Sequence, residues 1–334
     1  MLRVIDGGLQ TTVQDVGRFG WYRIGMPPSG AMDQFALRVG NMLVGNAQDA
    51  AGLEITYVGP ELEFGRDALI ALTGAELSAR LNGAAVPMWT ALGVSKGDRI
   101  SCGRVTRGAR SYLCVGGGID VRPLLGSRST YLLGRFGGHA GRRLEAQDRL
   151  PLGRAPAGAE ALLGRQIDAS LIPRPAAEAD LRIVMGLCSY RLIPESVSEF
   201  LSAKWEVTTE SNRVGYRLHG PPFRFVDREP PFGAGSDPSN VVDVGYPVGS
   251  IQIPGGLEAI LLMRDAVTGG GYATIGTVIQ CDLDRVAQAS PGTKVTFQSI
   301  DIDEAIRLRA DYKAHLRRVA LCLSLLDLHG HLGQ

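Results

Sequence analysis

Between Leu262 and Gln280 the chain reads Leu-Met-Arg-Asp-Ala-Val-Thr-Gly-Gly-Gly-Tyr-Ala-Thr-Ile-Gly-Thr-Val-Ile-Gln. Asp265 and Thr268 place a carboxylate and a hydroxyl beside Gly269, Gly270 and Gly271, with Tyr272 next in line. A glycine turn of this kind can take backbone angles closed to other residues and bring main-chain N–H groups up to a ligand. A second polar, glycine-rich region runs from Leu125-Gly126-Ser127-Arg128-Ser129-Thr130-Tyr131 to Gly137-Gly138-His139-Ala140-Gly141-Arg142. A third segment, Gly25-Met26-Pro27-Pro28-Ser29-Gly30-Ala31-Met32-Asp33, combines stiffening prolines with Ser29 and Asp33, either of which can cap a following helix.

The elements that must hold these residues are mostly strands. Ala259 to Met263 and Ala273 to Ile279 are apolar runs with β-branched members, so they read as strands around the Asp265 turn. The plain alternative for that turn is a hairpin without chemistry. Forty-four glycines, eighteen prolines and many short β-branched runs point to a largely β protein. The runs include Leu2 to Ile5, Leu53 to Val58, Leu62 to Phe64, Ala68 to Thr73 and Ser111 to Val115, with a hairpin expected around Ser95-Lys96-Gly97-Asp98. Helices are expected over Gln34 to Val44, Glu195 to Lys204 and Asp301 to Leu328. The last is amphipathic, and its apolar end, Val319 to Leu328, is expected to pack on this protein or a partner and not on a membrane.

The second half restarts like the first. Leu181-Arg182-Ile183-Val184 echoes Leu2-Arg3-Val4-Ile5, and Gly220-Pro221-x-Phe223-x-Phe225 echoes Gly59-Pro60-x-Leu62-x-Phe64. Ordered echoes near half the chain length suggest two related domains. The expected division is 1–165, 176–300 and a C-terminal helix over 301–334, with the boundary in the Ala-, Gly-, Pro- and Arg-rich stretch from Gly153 to Pro175.

Composition narrows the function classes. The net charge of +1 gives no electrostatic case for nucleic acid or an acidic membrane surface. The five cysteines form no C-x-x-C pair, so neither a zinc site nor a disulfide framework is expected, and no metal is assigned. Without a signal peptide or a long apolar span, the reading is a cytoplasmic protein with reduced thiols. There is no G-x-x-x-x-G-K-[ST] phosphate loop, and no Met-Lys-Met context for a biotinyl-lysine.

Several segments together resemble the biotin-dependent carboxyltransferase family, also called allophanate hydrolase subunit 2. They are Met26 to Gln34, Asn41 to Asn46, Gly116-Gly117-Gly118-Ile119, Leu125 to Tyr131, Gly249-Ser250-Ile251-Gln252-Ile253-Pro254, and Asp265 to Tyr272. The resemblance implies two tandem cyclophilin-like β-barrel domains with a few short helices. It also implies a partner of similar fold, like the B subunit of the ATP-dependent 5-oxoprolinases, and in those enzymes a third chain, the A subunit. One family position departs: Val267 stands where a glutamine is usual, and valine makes none of an amide's hydrogen bonds. Glu258-Ala259-Ile260 likewise replaces a usual Gln-Pro-Ile, and Pro231 to Asn240 is a variant stretch.

Three functions follow from the resemblance. The chain is the C subunit of an ATP-dependent 5-oxoprolinase-type amidohydrolase, inactive alone and acting on a small lactam or amide. Alternatively it is the carboxyltransferase component of a urea carboxylase-like enzyme, or a non-catalytic antagonist that binds a kinase inhibitor resembling the B subunit. ATP would act through the complex, and no biotin would be attached to this chain. Amide resonance makes such substrates unreactive, so a site needs cations or N–H dipoles on the carbonyl oxygen and a carboxylate or hydroxyl to move a proton. The candidates are Arg128 with Ser127 and Ser129, Asp265 with Thr268, and Ser29 with Asp33. Gln252, Gly269, Gly270, Gly271 and Tyr272 are candidates for substrate contact. Each has a plain alternative: Ser29 and Asp33 cap a helix, Arg128 pairs with a structural carboxylate such as Glu54, Gln252 completes a strand edge, and His139 is an exposed loop histidine.

Overall fold

The computed structural model describes residues 1–229 and 232–330, with side chains described as far as Ser324. The chain is mainly β, with few helices, and divides into two compact units. The first comprises Met1–Arg18, Ser29–Pro175 and the chain from Lys313 onward; the second comprises Phe19–Pro28 and Ala176–Tyr312.

The first unit holds two sheets. One has the strand order Arg149–Leu150, Leu2–Asp6, Glu61–Phe64, Arg99–Ser101, Arg80–Leu81, Ala84–Ala85. The other has the order Gln10–Gln14, Gly52–Thr56, Val105–Val115, Ala68–Leu77, Ala91–Val94. Leu2, Val4, Leu53, Ile55, Leu62, Phe64 and Leu113 are drawn from both sheets into one apolar cluster. The alternation in Leu2–Asp6 is a period-two pattern, with Leu2 and Val4 inward and Arg3 and Ile5 less buried. The Gln34–Leu43 helix packs against the long Ala68–Leu77 and Val105–Val115 strands. Gly40 permits this contact, because a Cβ there would meet Cys114 Sγ at 2.7 Å.

The second unit closes into a barrel. Its strands run Glu178–Met185, Thr274–Val278, Ser250–Gln252, Ala259–Leu262, Gly215–His219, Trp205–Val207 and Lys294–Ser299, the last pairing in parallel with the first. Closure leaves no unpaired edge in this ring of strands. Aromatic rings fill one end: Phe200 stacks on Phe297 at 4.6 Å and Trp205 on Phe223 at 5.4 Å. Gly220 lets the chain pass against the Trp205 ring, which a Cβ would meet at 2.4 Å.

Several local expectations change. Ala259–Leu262 and Thr274–Val278 do not form a hairpin, because each pairs with Ser250–Gln252 lying between them. The three glycines are extended, not turned. Gly269–Tyr272 is a strand paired with Asn240–Gly245, and none of Gly269, Gly270 or Gly271 has a positive φ. Ser95 to Asp98 is a turn that passes between sheets, since Ala91–Val94 pairs with Ala68–Leu77 and Arg99–Ser101 with Glu61–Phe64. The Phe223–Phe225 echo of the Glu61–Phe64 strand is only an isolated bridge, between Leu192 and Phe225. Pro231 lies outside the described residues.

The last helix, Ile302–Gly330, buries Val319 and Leu323. His315 on the same helix stacks on Phe35 at 5.4 Å. Among the described residues no helix is long and apolar enough to cross a membrane. All five cysteines are free thiols; Cys102, Cys114 and Cys188 are buried, Cys281 is half-buried and Cys322 is exposed. Burial pushes the Cys102 thiol up to about 12.

Candidate functional site

A residue outside the expected set, Asp15, organises the segment around Arg128. It follows the Gln10–Gln14 strand and is buried. Its carboxylate accepts hydrogen bonds from Ser127 Oγ at 2.6 Å, Ser129 Oγ at 2.5 Å, Gly17 N at 2.8 Å and Arg128 N at 2.5 Å. Four donors around one buried carboxylate lock the loop, since each charge-assisted bond is worth more than a neutral one. The Ser127 and Ser129 hydroxyls are therefore committed to Asp15. Arg18, itself buried, donates to the Ser129 carbonyl and lies over the Phe136 ring at 5.0 Å.

The locked loop leaves the Arg128 guanidinium at the surface, 38% exposed, where its Nη2 donates to Asp120 at 3.0 Å. Glu54 is not its partner. Glu54 is buried, accepts from Tyr112 Oη at 2.7 Å and Met32 N at 2.8 Å, and faces Arg110. An exposed ion pair of this kind is weak, so Arg128 can release Asp120 for a ligand at little cost.

Ser29 and Asp33 separate in role. Asp33 caps the Gln34–Leu43 helix by accepting from Ala36 N at 2.8 Å, and its own N–H donates to Tyr112 Oη at 2.8 Å. Ser29 caps nothing. It is wholly buried, sits at φ +51°, and its hydroxyl has no hydrogen-bond partner among the described residues. Gly30 follows at φ +85°, where a Cβ would meet Gly17 N at 2.7 Å, and Ala31 N donates to the Asp15 carbonyl at 2.8 Å. Asp15 thus ties the Ser29 loop, through its carbonyl, to the Arg128 loop, through its carboxylate. A buried hydroxyl without a partner costs about 1–3 kcal/mol, and such costs concentrate at working sites.

In the second unit, Asp265 meets Arg213 in a two-pronged pair. Arg213 Nε donates to Oδ2 at 2.8 Å and Nη2 to Oδ1 at 3.1 Å, with both residues buried. The Asp265 N–H also donates to the Arg213 carbonyl at 3.0 Å. This carboxylate holds the turn in place through both of its oxygens. Thr268 is half-buried, and its carbonyl accepts from Tyr246 N at 2.9 Å. The Tyr246 phenol donates to the Tyr272 carbonyl at 2.8 Å and accepts from Tyr272 N at 2.7 Å. Burial pushes the ionisation of this phenol upward, against the Tyr272 backbone and the nearby Gln252 side chain. Tyr246 thus braces the Gly269–Tyr272 strand, while Val267 is exposed.

His139 lies at 3.2 Å from Asp148 Oδ1 and is partly exposed. Asp148 also receives both Arg142 Nη groups, each at 2.7 Å. Among the described residues no cluster of three His, Cys, Asp or Glu side chains could hold a metal ion.

Of the expected residues, the fold brings Ser127, Arg128 and Ser129 to Asp15, which also holds the loop after Ser29 through Ala31, and it brings Thr268 and Tyr272 to Tyr246. Asp15, Arg18, Arg213 and Tyr246 escape a reading of the sequence because their partners lie far along the chain. The signal present is type alone, an acid and an arginine within the extended Thr11 to Trp21 segment.

Comparison with known proteins identifies the family. The profile of the carboxyltransferase domain, subdomain A and B, matches residues 24–299. The chain is 36% identical to the C subunit of 5-oxoprolinase from Escherichia coli K12, over 96% of this chain and 98% of that one. It is 35% identical to urea amidolyase of Lachancea kluyveri over 93% of this chain, but spans only 17% of that much longer protein. The crystal structure of Kluyveromyces lactis urea amidolyase superposes with a TM-score of 0.89 at 34% identity, over 95% of this chain and 20% of that one. By profile, by full-length identity and by fold, the chain belongs to the carboxyltransferase domain, subdomain A and B, family.

Proposed function

We propose that this chain is the C subunit of a 5-oxoprolinase-type amidohydrolase, acting on a small lactam or amide with partners like the B and A subunits of those enzymes. The observation that carries this reading is the match of nearly whole chain to whole chain with a protein of that name. ATP acts through the complex, and no residue of this chain is assigned to it.

Within the chain, Arg128 is the group suited to polarise a substrate carbonyl, because its cation is exposed and, among the described residues, paired with the exposed Asp120. Ser29, wholly buried beside the Arg128 loop, is one of the hydroxyls left unpaired among the described residues and would reach substrate only if its loop opened. Asp15 and Asp265 each hold a loop through buried hydrogen bonds, to the Arg128 main chain and to the Arg213 guanidinium. In the second unit, Gln252 and Tyr272, both beside Tyr246, are the groups suited to contact substrate.

The test is co-expression with the cognate A and B chains, followed by an assay for ATP-dependent release of glutamate from 5-oxoproline. Release that needs all three chains supports the proposal; an assembled complex that releases none sinks it. A second reading, the carboxyltransferase component of a urea carboxylase-like enzyme, is favoured by the 0.89 TM-score to urea amidolyase. It requires a biotinylated partner, which an avidin blot of proteins co-purifying from the source cell would reveal.

A further inference from the structure

A cleft of about 390 Å³ opens on the second unit, lined by none of the residues assigned above. Its walls are apolar, built from Phe19, Val248, Val278, Ile279, Leu283 and Ile306. Phe19, Ile302 and Ile306 are each about 60% exposed, so the cleft presents apolar surface to solvent. Only two charged residues border it, Arg264 and Arg309, and both are cations. None of the described lining residues is acidic.

Three carboxylates on the flanking segments pair elsewhere: Asp282 with Arg182, Asp284 with the Tyr312 hydroxyl, and Glu304 with Arg307. Arg309 is exposed and has no ion pair among the described residues. Arg264 is 4% exposed, and its charge acts on the Tyr22 hydroxyl across the same wall. Burial pushes that hydroxyl upward, against the Val248 backbone hydrogen bond and the Arg264 charge. The volume falls in the range of ordinary small-molecule sites, which combine apolar walls with a few placed polar groups.

We propose that this cleft binds a small amphiphilic carboxylate, its apolar body lying on Phe19, Val278 and Ile306 and its anionic head drawn to Arg309 and Arg264. Apolar area supplies the affinity and the two cations supply the sign. The polar members of the wall, Tyr22, Thr277 and Gln280, orient the head group. The proposal is independent of the activity proposed above, because it uses none of the residues assigned to that reaction.

The test titrates decanoate into the purified chain by calorimetry at low salt, with decyltrimethylammonium and a neutral alkyl glucoside as matched probes. Saturable binding of decanoate, weakened by added salt and not matched by the cation, is expected. Arg309→Gln weakens decanoate about tenfold, the loss of one charge-assisted contact. Ile306→Glu, which sets a carboxylate in the wall, abolishes it. Both positions are exposed on a helix, so circular dichroism melts are expected to match the parent. Equal binding of cation and anion, unchanged affinity in both variants, or no saturable binding of decanoate would each overturn the proposal. So would sedimentation showing the cleft covered by a second copy of the chain that decanoate does not displace.

Discussion

Arg128 owes its availability to a neighbour that does no chemistry. Because Asp15 takes the main-chain N–H of Arg128, the side chain is left outward, paired among the described residues with Asp120. Arg128→Ala in the assembled complex is expected to lower turnover about 100-fold or more, by analogy with the loss of one oxyanion donor. Its melting temperature should stay near the parent's, since the pair it breaks is exposed. Loss of turnover matched by loss of stability would assign Arg128 a structural role instead. A different charge cluster governs acid stability. The Arg142 guanidinium holds the Asp148 carboxyl well below the usual carboxylate range, with burial opposing and the Glu145 N–H and His139 assisting. A depressed carboxylate stabilises the fold above its unfolded value of about 4 and loses that contribution as the pH falls below it. Asp148→Asn is therefore expected to cost about 1–2 kcal/mol at neutral pH, discounted because Arg142 is partly exposed. Urea unfolding repeated at decreasing pH should show the gap between variant and parent closing; a gap independent of pH would contradict this account.

The elements that carry the site are joined by a few buried polar groups, not by contiguous sequence. Asp15 follows a strand, Ser127 to Ser129 form a loop more than a hundred residues later, and Ser29 precedes a helix. Apolar packing puts the three segments near one another, and the carboxylate selects a single arrangement. Asp15→Asn keeps the shape but turns two lone-pair acceptors into an NH₂ that faces existing donors. We expect about 2–3 kcal/mol of destabilisation by chemical denaturation, with faster amide exchange confined to the 127–131 and 29–31 segments. Uniform loss of protection throughout the first unit would show that Asp15 supports the core and not the loops. The glycine strand Gly269–Tyr272 makes the related point for backbone. Three glycines look like a turn, yet pairing with Asn240–Gly245 makes them extended, and Tyr246 packs closely enough to leave little room for a side chain at Gly270.

At the scale of the whole molecule, charge is nearly balanced, with 35 basic and 34 acidic side chains. Many are paired locally, as Arg99 is with Glu63 and Arg224 with Glu199. A net charge of +1 supplies little overall attraction for a polyanion. The protein is expected to pass unretained through heparin resin at physiological salt, and firm retention would refute the exclusion of nucleic acid partners. The two units also solve burial differently: the first stacks two sheets over one apolar cluster, while the second closes a ring of seven strands.

What the order of residues determined by itself is the class of fold, the strand-like restart at Leu181, the helix after Asp33 and family membership. All rest on local periodicity, capping and contiguous motifs, which are properties of neighbours in the chain. The partners were decided only in three dimensions. Asp15 with Ser127 and Ser129, Arg213 with Asp265, and Tyr246 with Tyr272 are all pairings between residues apart in sequence. Their identity depends on which loops the packed strands bring together. The same holds for the three glycines after the Asp265 turn, where local glycine freedom predicted a bend and sheet pairing imposed an extended strand. Backbone hydrogen bonds made across the fold outweigh the weak preference of the residues that make them.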